Sequence, residues 1–415
     1  MSSWLETTIT ALIYGGEGLG RLPDGRAVFV PHTLPGERVR IRLVEEKRRH
    51  ARAELLEVLE PAPQRITPRC AHFGVCGGCS YQHIPYTGQL AAKQAILREQ
   101  LERIGEMTEP PIQPIVPSLA EFNYRNHVQL HLTVEGKLGY YNPRGDQVIP
   151  IRECHLPQPP LDEIWKQLDF EALPEIERVG LRLGVGEDMQ LILESADPQA
   201  PELSVEELPI SVAHLSPAGR LVLAGSPAVT FEVLGRSFRV SAGSFFQVNT
   251  AMAEAMVRHV LDDLQDIPSL DQATVLDAYC GVGLFSVFLA GRAARLIGIE
   301  ASPGACEDFV ANLDEFDNVE LYEAPVEAVL PVLETRPQLA LVDPPRAGLE
   351  RGALDALLAL GAPRLCYVSC DPATLARDAR RLMVGGYRME KITPFDMFPQ
   401  TYHIESISFW RRGEE

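Results

Sequence analysis

The second half of the chain alternates short apolar runs with helical patterns, and this alternation restricts the fold more than any other feature. Residues 274–278, 295–300, 319–323, 339–343 and 365–369 read as strands, the last of them short and buried. Residues 284–290, 303–313, 326–333, 352–360 and 372–382 read as the intervening and following helices. Strands alternating with helices in this way belong to a doubly wound parallel sheet. The expected fold is therefore α/β, a doubly wound parallel sheet, with two more strands at 387–394 and 403–410. Ligands of such sheets bind outside the carboxyl ends of the strands.

Two of those ends carry legible chemistry. Asp277-Ala278-Tyr279-Cys280-Gly281-Val282-Gly283 is a strand, a glycine turn and the start of a helix. It lacks the three-glycine spacing of a pyrophosphate site, and no P-loop lysine follows. The next strand ends in Glu300, where an acid commonly accepts from ribose hydroxyls. A nucleoside without phosphates fits, namely S-adenosylmethionine, and Asp343-Pro344-Pro345-Arg346 on a later strand strengthens that reading. Further on, Cys370 closes a strand while Pro372 opens a helix. The helix's positive end is expected to favour a thiolate there.

The remainder of the chain is built differently. Residues 9–61 are short strands broken by Gly15-Gly16, Pro23-Asp24-Gly25 and Pro35-Gly36, which suggests a small β-barrel. Alternation in the strand around Val39–Val44 puts Arg38, Arg40 and Arg42 on one face, a local site for a polyanion. Residues 86–104 have helical periodicity; prolines follow, then strands continue to about residue 240. Tyr124-Arg125-Asn126 offers groups able to stack on unpaired bases.

Cysteine spacing singles out a further site. Cys70, Cys76 and Cys79, with glycines at 74, 77 and 78, form a dense ligand loop, and Cys154 offers a fourth thiolate from a strand. Four thiolates suit a structural zinc or an iron–sulfur cluster, and spacing alone does not separate them. The C-x5-C-x2-C pattern is not that of a radical adenosylmethionine enzyme.

The net charge of −19 excludes a protein that coats nucleic acid generally. Residues 155–235 hold 14 Asp/Glu against 4 Lys/Arg, so this acidic stretch is expected to face away from RNA. No apolar run is long enough to span a membrane and the N-terminus lacks a secretory pattern, which points to the cytoplasm.

Several segments resemble those of RNA uracil-C5 methyltransferases. They are Phe246-Gln247-Val248-Asn249, the turn at 277–283, residues 343–348, Ser369-Cys370-Asp371-Pro372-Ala373-Thr374, and Asp396-Met397-Phe398-Pro399-Gln400-Thr401 with His403 and Glu405. Residues 2–60 are similar to the TRAM domain, an RNA-binding barrel, and the cysteine loop to the family's [4Fe–4S] loop, which a cysteine placed like Cys154 completes. The resemblance implies a TRAM/OB-like barrel at 1–60, a β-rich central domain with the iron–sulfur loop at 61–240, and a Rossmann-like methyltransferase domain at 241–415. The helix at 86–104 is a candidate to pack on that last domain.

The resemblance further implies Cys370 as nucleophile, Glu405 as base, and Asp343 as a group polarising uracil. Gln247, Tyr279, Glu300 and Asp343 would surround S-adenosylmethionine. The partner is a single-stranded or loop uridine of RNA, most often 23S rRNA in the branch that carries both barrel and cluster. A monomer without an obligate protein partner is expected. Competing readings are a tRNA T-loop methyltransferase, a cytosine methyltransferase, and a non-catalytic RNA-binding iron–sulfur protein.

Overall fold

The computed structural model describes residues 4–413 apart from 169, 171, 172, 174, 187, 202–208, 266, 268 and 269. Six of the fourteen acids of the 155–235 stretch (Asp169, Glu171, Glu187, Glu202, Glu206 and Glu207) lie outside the described residues.

Residues 4–60 form a six-stranded sheet in the order Trp4–Thr8, Arg38–Glu46, His50–Glu60, Ala27–Pro31, Glu17–Arg21, Ala11–Leu12. The sheet curls until its first strand meets a late one: Thr7 Oγ1 donates to the Arg21 carbonyl at 2.8 Å, and Thr10 N to Leu19 O at 2.7 Å. Its interior is the alternate apolar set Val28, Val30, Val39, Ile41, Ala51 and Ala53.

The basic strand face differs from expectation. Arg38 pairs with Glu6 and Glu60, Arg40 with Glu57, and Arg42 with Glu54. Neighbouring strands supply these carboxylates, so the row of arginines is largely neutralised in place.

The second sheet has seven strands ordered Gly219–Ala224, Ser211–Ser216, Met189–Ser195, Ile176–Leu183, His127–Leu132, Leu138–Tyr141, Val148–Pro150. Tyr124 is withdrawn from solvent and donates to the Pro399 carbonyl at 3.0 Å, while buried Asn126 donates through Nδ2 to the Gln247 carbonyl at 3.0 Å. The Tyr124–Asn126 segment thus ties this sheet to the C-terminal loops instead of presenting a base-stacking face.

The third sheet runs Val319–Glu323, Arg295–Glu300, Thr274–Ala278, Leu339–Val342, Arg364–Ser369, Glu405–Arg412, Tyr387–Phe395. Its first five strands pair in parallel, and Glu405–Arg412 inserts antiparallel between the last two. This is the doubly wound sheet that the alternation predicts. Chain order reverses between Thr274–Ala278 and Leu339–Val342, the switch point where such sheets bind ligands.

Two packing relationships redraw the sequence boundaries. The hairpin Ala228–Val233 and Arg236–Ser241 buries Val229, Phe231, Val233, Phe238 and Val240 in one apolar cluster with Phe246, Val275 and Phe288. By packing it belongs with the third sheet, although its strand pattern reads as a continuation of the middle region. The helix Tyr86–Arg103 places Leu97 and Leu101 against Leu375 and Leu382 beneath the same sheet. Helix periodicity at long sequence separation thus resolves into a docked helix.

Candidate functional site

Five residues anticipated for the chemistry converge on one sheet edge. Tyr279 follows the strand Thr274–Ala278, Glu300 ends Arg295–Glu300, Asp343 follows Leu339–Val342, and Cys370 follows Arg364–Ser369. Glu405 opens an antiparallel strand, so its amino end lies at the carboxyl edge of the others.

Burial sets the electrostatics of this edge. Glu405 is 4% exposed, and desolvation holds its carboxyl well above the usual carboxylate range; the nearby Asp343 charge adds to this and Arg346 opposes it. Asp343 is pushed up to about 7 by burial. The Cys370 thiol is pushed up to about 12, first by burial, then by the charges of Glu405 and Asp343, with Arg346 pulling down and Asp371 pushing up. Cys370, Glu405, Asp343 and Arg346 therefore form one electrostatic cluster.

The expected thiolate-stabilising helix end does not operate. Asp371 caps the helix Pro372–Val384, with Oδ1 accepting from the amides of Ala373 and Thr374, each at 2.9 Å. Those donors are spent on a carboxylate, and burial first, then the charges of Glu405 and Asp343, raise the thiol.

The adjoining turn is shaped as a nucleoside cradle. Glu300 Oε2 accepts from Gly281 N at 2.9 Å, and Oε1 from the amides of Ala301 at 2.8 Å and Ser302 at 2.7 Å, fixing the acid at the strand end. Tyr279 has φ +63°, a strained conformation that bends the chain out of its strand. A Cβ at Gly281 would meet no other atom within 4 Å, whereas one at Gly283 would lie 2.6 Å from Leu313. Asp277 is 1% exposed, takes Ser286 Oγ at 2.5 Å through Oδ2, and has no partner for Oδ1. An unpartnered buried acceptor beside an open glycine turn fits the polar end of S-adenosylmethionine. The Tyr279 hydroxyl donates to Glu327 at 2.8 Å, and the main-chain carbonyl of Gln247 accepts from Asn126 Nδ2 at 3.0 Å.

The family model described as tRNA (Uracil-5-)-methyltransferase matches residues 202–412, and a TRAM domain model matches residues 3–56. A protein of Thermosynechococcus vestitus named an uncharacterized RNA methyltransferase is 36% identical, across 98% of this chain and 99% of its own. The chain belongs to the tRNA (Uracil-5-)-methyltransferase family. It is an S-adenosylmethionine-dependent RNA (uracil-C5-)-methyltransferase with an N-terminal TRAM domain. A relative in Aquifex aeolicus, also named an RNA methyltransferase, shares 34% identity over 97% of each chain. The fold matches that of the Pyrococcus abyssi tRNA (uracil-54, C5)-methyltransferase crystallised with S-adenosyl-L-homocysteine. The TM-score is 0.75 at 23% identity, over 98% of this chain and 100% of that one.

The methyltransferase's cysteine loop lies against the second sheet. Gly77 N donates to Tyr141 O at 2.8 Å, and a Cβ there would lie 2.8 Å from the same oxygen, so the loop docks tightly on the second sheet. Ala71 N donates to Glu153 at 2.7 Å, which brings the neighbouring Cys154 towards Cys70. Cys154 lies in a loop beyond the strand Val148–Pro150, not on a strand as anticipated. The sulfurs of Cys70 and Cys76 accept from the amides of His72 and Gly78, both at 3.4 Å, and Cys79 from Gln82 Nε2 at 3.2 Å. Among the described residues, however, no three His, Cys, Asp or Glu side chains are grouped so as to hold a metal ion. The Cys154 thiol interacts electrostatically with Cys76 and Cys70, and Cys79 with Cys154 and Cys76.

Sequence reasoning missed the groups that hold this edge in place. Lys93 on the helix Tyr86–Arg103 reaches Asp396 across the domain junction. On the same helix, the Gln89 amide bonds Gln400 twice: Nε2 to Oε1 at 3.0 Å, and Gln400 N to Oε1 of Gln89 at 2.9 Å. Buried polar residues on an apolar helix face were the available signal. Their partners, some 300 positions away, had none.

Proposed function

We propose that this enzyme methylates C5 of a specific uridine in 23S rRNA, with Cys370 as nucleophile and Glu405 as base. The observation that carries this reading is the meeting of Cys370, Asp343 and Glu405 at the switch-point edge. Uracil C5 is too weak a nucleophile to be methylated directly. Cys370 gives up its thiol proton to solvent, and addition of the resulting thiolate to C6 yields an enolate whose electrons move to C5. S-adenosylmethionine, when bound, supplies an electrophilic methyl on its sulfonium. Once C5 carries the methyl group, Glu405 removes the C5 proton, and the electron pair expels Cys370 from C6.

Burial suits each group to its task. A carboxylate that prefers its proton is a stronger base when ionised, as the C5 proton requires. Asp343, near 7, retains its proton part of the time at neutral pH and in that state donates to a uracil oxygen as enolate charge develops. Gln247, Tyr279, Glu300 and Asp343 surround the cofactor in this reading. The partition at residues 1–60, 61–240 and 241–415 is retained for the barrel, central and catalytic parts, with the hairpin at 228–241 packed on the last.

Cys70, Cys76, Cys79 and Cys154 are proposed to hold a [4Fe–4S] cluster. A four-iron cubane separates its thiolates more widely than a single ion does, and amide donors to sulfur are the contacts that tune such clusters. Iron and acid-labile sulfide at about four each per chain after anaerobic purification, lost in Cys79→Ser, are the expected result.

A second substrate reading is favoured by names: the matching family model and the Pyrococcus abyssi protein are both designated for tRNA. Digestion of rRNA and tRNA to nucleosides after incubation with the enzyme separates the two. New 5-methyluridine in 23S rRNA supports the first reading, and label confined to tRNA replaces it with a T-loop uridine.

A further inference from the structure

Cys370 sits in a turn whose hydrogen bonds are almost all its own. Asp371 N donates to Ser369 Oγ at 3.2 Å, and Ser369 Oγ donates to Asp371 O at 3.0 Å, closing the chain around the thiol. One carboxylate oxygen of Asp371 is committed to the helix amides. The other accepts the hydroxyl of Tyr14, a residue of the N-terminal barrel 357 positions away.

Tyr14 also touches the segment that leads to Glu405. Its ring meets Tyr402 edge-on, with centroids 6.1 Å apart and planes at 84°. The adjoining Gly16 makes this approach feasible: with φ +81°, a Cβ there would lie 3.1 Å from Tyr402 Cβ and 3.3 Å from Ser80 Cβ. The Tyr14–Gly16 loop is thus wedged between the catalytic segments and the cysteine loop.

We propose that Tyr14 is a positioning residue for the methyl-transfer step, a strap by which the barrel holds the nucleophile turn and the base segment in register. The barrel then contributes to the chemical step as well as to RNA affinity. This rests on the reading of Cys370 and Glu405 as the reacting pair. A thiol must meet C6 in near-attack geometry, and a displacement on the order of 1 Å costs up to about a hundredfold in rate. The hydroxyl-to-carboxylate bond is of the charge-assisted kind, which holds geometry more firmly than a neutral one.

The test is steady-state methylation of transcribed 23S rRNA and tRNA by the full-length holoenzyme, with Tyr14→Phe and Gly16→Ala compared with wild type. Tyr14→Phe keeps the ring against Tyr402 and removes only the hydroxyl. Its kcat is expected to fall about tenfold, with KM for RNA, affinity for S-adenosylhomocysteine and melting temperature unchanged. Gly16→Ala, which pushes the loop off Tyr402, is expected to lower kcat in the same sense. Asp371→Asn keeps the helix cap, and combining it with Tyr14→Phe is expected to add little further loss.

An unchanged kcat in Tyr14→Phe overturns the inference. So does a raised KM at constant kcat, which makes the loop an affinity element, or a kcat loss that tracks a lowered melting temperature. Failure of wild-type enzyme to form a covalent adduct with 5-fluorouridine RNA overturns the Cys370 reading instead, because kcat is read without reference to which thiol reacts.

Discussion

Lys93 Nζ lies 2.5 Å from Asp396 Oδ1 and 3.0 Å from the Phe398 carbonyl, with both charged side chains fully withdrawn from solvent. The pair pins the loop that leads to Glu405 onto the helix Tyr86–Arg103. Removing one partner leaves the other charge buried and uncompensated. Lys93→Met is expected to destabilise the protein by about 3–5 kcal/mol in urea unfolding. Lys93→Met combined with Asp396→Leu should recover part of that loss. A single variant within about 0.5 kcal/mol of wild type, the range of ordinary surface changes, would show that the pair is not structural.

The thiol at Cys370 is expected to react slowly in the free enzyme at neutral pH. Burial, Glu405, Asp343 and Asp371 together push it up to about 12 against the pull of Arg346. Since only the thiolate is nucleophilic, alkylation of Cys370 by iodoacetamide should rise about tenfold per pH unit with no plateau at the free-thiol value of about 8.5. Arg346→Met should slow it further at every pH. A plateau near neutrality would mean the thiolate is already formed without RNA.

Asp343 gives a stability signature with a definite sign. Folding raises its carboxyl from 3.8 to about 7, so the folded state is favoured while the group is protonated. That share of stability is given up as pH rises from near 4 through about 7. Asp343→Asn, which cannot ionise, should therefore be more stable than wild type at alkaline pH by about 2 kcal/mol, allowing for solvent screening, and equal near pH 4. Its methylation rate should fall. Equal stability at all pH values would contradict a raised Asp343.

Gly283 is required by its surroundings. It has φ +90° and leaves no room for a Cβ beside Leu313 and Phe309. Gly283→Ala is expected to cost about 1–3 kcal/mol and to weaken S-adenosylhomocysteine binding measured by calorimetry. Undiminished binding would remove the turn from the cofactor site.

The parallel sheet was legible because strand patterns alternate with helical ones, and the residues at or just beyond the strand ends (Tyr279, Glu300, Asp343, Cys370) fall at one edge by topology. Environment was harder to read. Arg38, Arg40 and Arg42 look like a free basic face until Glu6, Glu54 and Glu57 arrive from neighbouring strands. Tyr124 looks like a stacking platform until the Pro399 carbonyl buries its hydroxyl. The thiolate expected at a helix N-terminus is opposed first by burial, and the helix amides there go to the Asp371 cap. The Tyr14–Asp371 and Lys93–Asp396 contacts join residues more than 300 positions apart, beyond any periodicity or spacing rule.

The central claim is that Cys370 bonds to C6 of the target uridine. Incubation with S-adenosylmethionine and RNA containing 5-fluorouridine should yield a covalent protein–RNA complex, because the base cannot remove fluorine from C5. Mass spectrometry of nuclease- and protease-digested adduct should place the modified nucleotide on Cys370, and Cys370→Ala should form no adduct while still binding S-adenosylhomocysteine. A nucleotide attached to any other residue, or methylation by Cys370→Ala at the wild-type rate, would contradict the account.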